Sequence, residues 1–285
     1  MNANNISITK KGTLYIVPTP IGNLTDITHR ALSILKIVDV IAAENINHTK
    51  ILTRTYKILK NITSINKHNE KNKSKKLIIE LKNGKNVALV SNAGTPTIND
   101  PGYVLINYCY QFKIKIIPLP GPCAAITALS ASGFQIKRFC YEGFLPSKST
   151  KRRKLLHDLK EETRTIIFYE TPHRIIASIN DIVQELGPNR YIMLAKELTK
   201  TWESIHRDTS SNILSQLKNN SFKIKGEMII IISSVKTKKS YFLPEIALKT
   251  LQMLKLHLPL KKAITITAKL YNISKNLLYD HALTK

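Results

Sequence analysis

The stretch 90–102, V-S-N-A-G-T-P-T-I-N-D-P-G, concentrates residue types that hold small ligands. Gly94 and Gly102 let a ligand approach the backbone, and Pro96 and Pro101 fix turns. Ser91, Asn92, Thr95, Asn99 and Asp100 add hydrogen-bonding groups. An apolar strand at 86–90 precedes the stretch and a helix at 103–112 follows it. Open α/β sheets bind ligands in such loops, at the carboxyl ends of strands. An ordinary strand-to-helix connection has the same composition. Two further loops share the character: P-T-P-I-G-N at 18–23 and P-G-P-C-A-A at 120–125, each after an apolar strand. Three such loops in one alternating β/α unit suggest a shared crevice. None is a Walker loop or a G-x-G-x-x-G turn, so neither a nucleoside triphosphate nor a Rossmann dinucleotide site is supported.

A second kind of chemistry lies at Lys148, Lys151, Arg152, Arg153 and Lys154, a cluster that opens a helix. It reads either as a set of phosphate contacts or as a solvated face. The whole chain leans the same way, with 44 Lys and Arg against 19 Asp and Glu and a formal net charge of +25. That excess favours a polyanionic partner, because each neutralised phosphate releases counterions; an A/T-rich genome, which enriches Lys, Asn and Ile, produces it too. Three scattered cysteines and eight histidines without ligand spacing indicate no metal site and no disulfide framework. Residues 1–12 lack an apolar leader core, and the longest greasy strand, at 228–232, is too short to span a bilayer. A soluble, cytoplasmic protein with no membrane partner is expected.

The elements that must position these loops are two α/β domains and a tail. The first domain, 12–134, carries strands at 13–17, 40–43, 61–65, 86–90 and 115–119. The second, 135–234, carries strands at 139–144, 165–169, 191–197, 202–207 and 227–232, with a helix at 175–186. Direct successions of strands there predict a mixed sheet. A polar, basic linker at 235–241 leads into a helical module at 242–285, with helices at 246–256 and from Pro259, and Ser274 placed to cap a third. Helix, short turn and capped helix on a basic tail suit a helix-turn-helix; a helical appendage that only packs fits equally.

In order along the chain stand T-L-Y-I-V-P-T-P-I-G-N-L, A-A-E-N, S-N-A-G-T-P, I-N-D-P-G, P-L-P-G-P-C-A-A-I-T-A-L-S, Y-E-G-F-L-P, I-F-Y-E-T-P-H-R, E-L-T-K-T-W-E and K-G-E-M. This series resembles the ribosomal RNA small subunit methyltransferase I type, the 16S rRNA (cytidine 2′-O)-methyltransferases of the tetrapyrrole methylase superfamily. The resemblance runs from about Gly12 to the carboxyl end. It implies two α/β domains of the class III methyltransferase type with S-adenosylmethionine folded in the cleft between them, a homodimer, and a small helical carboxyl-terminal module. The substrate implied is 16S rRNA or the small ribosomal subunit.

Carried over residue by residue, the resemblance puts Ile21, Gly22, Asn92, Gly94, Thr95, Ala124 and Ala125 against the cofactor. Tyr169, Leu198, Gly226, Glu227 and Met228 close the site from the second domain. Lys200, Glu197, Glu170 and His173, all in matched motifs, are the candidates for the base that takes the ribose hydroxyl proton. Lys200 enters on the ground that a buried lysine loses its proton readily; binding a phosphate is its other role. The basic helix, Arg174 and the tail module become RNA contacts. Two positions depart from the pattern. Asn45 and Asn92 stand where the family generally has Asp, each trading a charge for one neutral acceptor. Restoring Asp at 92 is expected to tighten a sulfonium ligand. Two other functions stay open at this point: a tetrapyrrole methyltransferase of the same fold, and a non-catalytic RNA-binding protein of ribosome assembly.

Overall fold

A computed structural model describes residues 11–219, 224–235 and 243–283. The first ten residues and most of the expected linker, at 236–241, lie outside them. The chain divides into two compact units, 1–235 and 236–285.

The first unit contains two five-stranded sheets. The first sheet comprises β1 (Thr13–Ile16), β2 (Val40–Ala43), β3 (Asn61–Ser64), β4 (Val87–Val90) and β5 (Lys115–Pro118). Helices α1 (His29–Ile37), α2 (Ile46–Thr55), α3 (Glu70–Lys82) and α4 (Tyr103–Gln111) connect them, and α5 (Ala124–Ser130) follows β5. All pairings are parallel and the order is β3-β2-β4-β1-β5. Every residue of β2 and β4 is buried, because both faces are covered. Val87 and Leu89 join Leu14, Leu77, Leu81 and Leu105 on one face. Ala88 and Val90 join Val17, Ala31, Leu35 and Leu52 on the other.

The second sheet comprises β6 (Phe139–Phe144), β7 (Thr165–Glu170), β8 (Tyr191–Lys196), β9 (Ser204–Thr209) and β10 (Met228–Ile232). Its order is β6-β7-β10-β8-β9, with β6 parallel to β7 and the other pairs antiparallel, so the sheet is mixed. Helices α6 (Ser149–Asp158), α7 (Ile175–Leu186) and α8 (Ser210–Lys218) supply one face of its core, including Leu156, Ile179, Ile182, Ile213 and Leu217. The other face packs on α5: Ile167, Met193, Ala195, Ile229 and Ile231 meet Ala125, Ala128, Leu129 and Ile21. Small residues on α5 let the helix lie close to the strands, and this layer joins the two halves.

One strand differs from expectation. The segment expected to pair at 202–207 pairs at Ser204–Thr209 instead, and Trp202 sits 74% exposed. A turn occupies its place: the Lys200 and Glu203 amides donate to the Glu197 and Lys200 carbonyls, and the Thr199 amide to the Glu203 carboxylate at 2.6 Å.

The second unit is three helices, α9 (Glu245–Lys255), α10 (Leu260–Tyr271) and α11 (Lys275–Leu283). They close on Leu251, Ala263, Ile264, Ala268 and Leu278. Asn272 ends α10 in the left-handed region, φ 51° and ψ 45°, which turns the chain sharply into α11.

Candidate active site

Strand order brings the three Gly/Pro loops together. β4, β1 and β5 are neighbours, so the loops that follow them leave the sheet side by side. They are also fastened to one another. Thr19 and Gly94 exchange two backbone hydrogen bonds of 2.9 Å, and the Thr95 hydroxyl donates to the Pro122 carbonyl at 2.9 Å. A side chain at Gly121 would strike Pro18, with the nearest carbon at 2.6 Å. The long loop is pinned at both ends. The Asn92 amide donates to Glu44 Oε2 at 3.2 Å, and Glu70 of α3 accepts from the Gly102 and Val104 amides at 2.8 and 2.9 Å. Glu70 thereby caps α4 from a different helix, satisfying amides that have no partner inside their own helix.

The second sheet supplies the opposite wall. Register places Tyr169, Ile229 and Ala195 in one row across β7, β10 and β8. The Tyr169 hydroxyl accepts from the Ala125 amide at 3.2 Å, tying the sheet to the start of α5. Between the walls lies a cleft of about 360 Å³, within the usual range for small-molecule sites. A second cavity of about 330 Å³ adjoins it. The two share Ile21, Asn92, Ala93 and Glu227.

Backbone strain concentrates here. Seven non-glycine residues among those described have positive φ, and Thr97, Asn99, Glu197 and Thr199 lie in the two loops flanking the cleft. Such conformations persist only where surrounding contacts over-determine them. Asn99 is held by the hydroxyl of Tyr141.

Of the residues expected at the cofactor, Ile21, Asn92, Gly94, Thr95, Ala124, Tyr169, Leu198, Gly226 and Met228 all line the cleft. Gly22 lines the adjoining cavity instead. A side chain there would collide with the Lys200 stem at 2.5 Å, so Gly22 permits a close packing between the halves. Ala125 is buried in the layer under the cleft. Sequence reasoning named Asp100 among the loop's polar groups but gave neither it nor Glu44 a place at the cofactor; both line the cleft. Burial, then the neighbouring Glu44, pushes the Asp100 carboxyl up to about 6. Asn92 Oδ1 is buried and has no hydrogen-bond partner.

The four base candidates fare differently. Lys200 is not a depressed-pKa amine. Burial works against its charge, but Glu197 and Glu227, each 2.9 Å away, outweigh burial and raise its pKa. Glu197 is likewise committed: despite burial, Lys200 and the Glu227 amide hold its carboxyl below the usual range. Glu170 lines the cleft but is 2% exposed and spent on structure, accepting from the Thr171 amide, Arg174 and the Ser178 hydroxyl at 2.7, 2.7 and 2.6 Å. His173 is exposed and touches the Thr171 hydroxyl, and it lines neither cavity.

The basic cluster also divides. Lys148, at the N-cap of α6, and Lys151 and Lys154 within it are exposed and form no ion pair among the described residues. Arg153 is exposed but pairs with Glu185 at 2.6 Å. Arg152 is a correction. It is 3% exposed, bonded to Asp181 at 2.6 and 2.8 Å and to the Pro146 and Ser147 carbonyls. The α6 face that buries Leu156 one turn later buries Arg152 too, so it is a core ion pair and not a phosphate contact. Arg174 gives its guanidinium to Glu170 and is only 22% exposed.

Among the described residues no group of three or more His, Cys, Asp or Glu could hold a metal ion, and no helix is long and apolar enough to cross a membrane. The model for tetrapyrrole (corrin/porphyrin) methylases matches residues 13–214, and that for the RsmI carboxyl-terminal HTH domain matches 243–285. The chain is 60% identical to the ribosomal RNA small subunit methyltransferase I of Buchnera aphidicola subsp. Baizongia pistaciae, over 99% of this chain and 96% of that protein. It is 51% identical to the protein of the same name from Escherichia coli O157:H7, over 96% and 95%. Among solved structures, uroporphyrin-III C-methyltransferase from Thermus thermophilus, complexed with S-adenosyl homocysteine, superposes with a TM-score of 0.55 at 12% identity, over 78% of this chain and 97% of that one. That identity establishes the shared fold alone. The parallel-plus-mixed sheet pair, the cleft between them and the near full-length identity together place this chain in the tetrapyrrole methylase family, in the branch of the ribosomal RNA small subunit methyltransferase I proteins.

Proposed function

We propose that this protein transfers a methyl group from S-adenosylmethionine to the 2′ oxygen of a cytidine in the 16S rRNA of the small ribosomal subunit. The observation that carries the reading is the cleft: three fastened loops facing the Tyr169–Ile229–Ala195 row, with an unpartnered buried oxygen at Asn92 and the carboxyl groups of Glu44 and Asp100 in its lining. This donor set fits a small ligand that carries both a positive charge and hydroxyls. When bound, S-adenosylmethionine supplies an electrophilic methyl. The ribose oxygen would bond to that methyl carbon as the carbon–sulfur bond broke, with its electron pair going to sulfur, and the hydroxyl proton would leave to a base.

What the chain contributes is mostly position. The pinned loops hold acceptor and donor in line, which accounts for a large part of such a barrier. Asp100 lines the cofactor cleft and not the adjoining cavity, so its carboxyl, pushed up to about 6 by burial and then by Glu44, is placed to meet a cationic ligand once ionised. Lys200, held cationic, keeps the Glu197–Glu227 edge in place.

The exposed lysines of α6 and the net charge of +25 support an RNA substrate over a small carboxylated ring, which needs only a local patch. The working division is 12–134, 135–234 and 242–285, with the last part an additional RNA contact. A homodimer completes the reading, and light scattering tests it. The deciding experiment offers labelled S-adenosylmethionine with either small subunits from an unmodified strain or a tetrapyrrole precursor. Label in the rRNA at a cytidine ribose supports the proposal. Label in the tetrapyrrole, or in neither, overturns it.

A further inference from the structure

The second cavity is nearly as large as the cleft and shares lining residues with it. We infer that this cavity receives the acceptor nucleoside, flipped out of the RNA, with the first turns of α2 as its floor. The inference rests on the RNA-methylating function proposed above.

Three observations argue for it. The first is adjacency. Ile21, Asn92, Ala93 and Glu227 line both spaces, so a group in one lies close to a group in the other beside these four residues. A methyl donor in the cleft and an acceptor in the cavity would meet beside those shared residues.

The second is the chemistry of the walls. Leu24 and Ile51 are 37% and 58% exposed, unusual for side chains that line a cavity, and they offer aliphatic faces for a base. His48 and Thr49 on α2 supply polar groups beside them. The rim is not built for an anion, because Lys200 is already matched by Glu197 and Glu227. An uncharged base and ribose therefore suit the interior. Lys50 and Arg54, within one turn of Ile51, are exposed and form no ion pair among the described residues, which leaves them for the flanking phosphates. Enzymes that modify one nucleotide commonly take it out of its stack in this way.

The third is Thr49. It is 3% exposed, lines the cavity, and its hydroxyl has no hydrogen-bond partner. Buried polar groups without partners are rare and costly. A ligand that brings a partner explains its presence.

Thr49 also makes the idea testable. Valine has the same shape without the hydroxyl, so Thr49→Val removes an unsatisfied group and should leave the melting temperature unchanged or higher. If the hydroxyl serves the acceptor, kcat/KM for methyl transfer to small subunits should fall about tenfold, with S-adenosylmethionine affinity unchanged by calorimetry. A stabler variant with full activity overturns the inference, and so does a loss of stability together with activity, which marks a structural role. Ile51→Trp is the second arm. It fills the cavity from an exposed position and should cut transfer at least tenfold while cofactor affinity stays within twofold; undiminished transfer again overturns the inference. A wild-type protein that binds the cofactor but leaves the rRNA unlabelled overturns the proposed function, and this subsite with it, before any variant is compared.

Discussion

Replacing Asn92 by Asp tests how the cleft treats charge. The side chains are nearly isosteric, so the perturbation is one negative charge in a known place. The backbone N–H of Asn92 already donates to Glu44 Oε2 at 3.2 Å, and Asp100 lines the same cleft. A carboxylate at 92 would share the cleft with that of Glu44, and two like charges about 5 Å apart repel by about 3 kcal/mol at an effective dielectric of about 20. Asn92 Oδ1 is buried without a partner, so no hydrogen bond offsets the cost. The ligand-free variant should therefore melt at a lower temperature. A sulfonium ligand relieves the repulsion, and it also gains a charge-assisted contact in place of a neutral one. That exchange contributes about 0.5–2 kcal/mol, or up to about thirtyfold in dissociation constant. S-adenosylhomocysteine lacks the sulfonium charge and serves as the control. Calorimetric titration of both proteins with both ligands measures the ratio of their affinities. The ratio should move toward S-adenosylmethionine in the Asp variant. An unchanged or reversed ratio refutes the reasoning, and means that position 92 does not sense the charge on sulfur.

Arg152→Ala leaves Asp181 buried and unpaired and should destabilise the protein by about 3–5 kcal/mol, read by denaturant unfolding, with no change in the salt dependence of RNA binding. Replacing Lys148, Lys151 and Lys154 by Ala should do the reverse, reducing the salt slope by roughly one unit per lost phosphate contact at near-constant stability. S-adenosylmethionine affinity should rise with pH through about 6 as Asp100 ionises beside the cationic ligand, read by calorimetric titration, and Asp100→Asn should abolish that rise. The raised carboxyl also has a stability signature: the folded state binds its proton more tightly than the unfolded state, so this group's contribution is present below the unfolded value and is lost as pH climbs through about 6. Chelating agents should leave activity intact once RNA folding is controlled, since the displacement needs no metal.

Much of the site was legible because its chemistry is local. Glycine and proline restrict or free their own backbone, so the loops at 18–23, 91–102 and 120–125 announced themselves without any fold. The helix α8 was legible too, though it was passed over: Thr209 caps it, and Ile213, Leu214 and Leu217 recur at helical spacing. Arg152 carried the same kind of signal. It stands four residues before Leu156 on the buried stripe of α6, while Lys151 and Lys154 share another.

Other features had no local signature. Glu227 reaches Lys200 from 27 residues away and keeps it charged, where burial alone argued for a neutral amine. Asp100 acquires its raised carboxyl from burial and from Glu44, which lies on another strand end. The adjoining cavity exists only because the loop after β1, the start of α2 and the Lys200 turn converge. By itself, then, the sequence determined which residues could bend, cap, cradle or carry charge, because those are properties of a residue and its near neighbours. Only the tertiary structure decided which of them meet. The strand order β4-β1-β5 set the three loops side by side, and packing of α5 against the second sheet set the distance across the cleft. A charge's behaviour depends on groups within a few ångströms in space, and the chain order does not contain those distances.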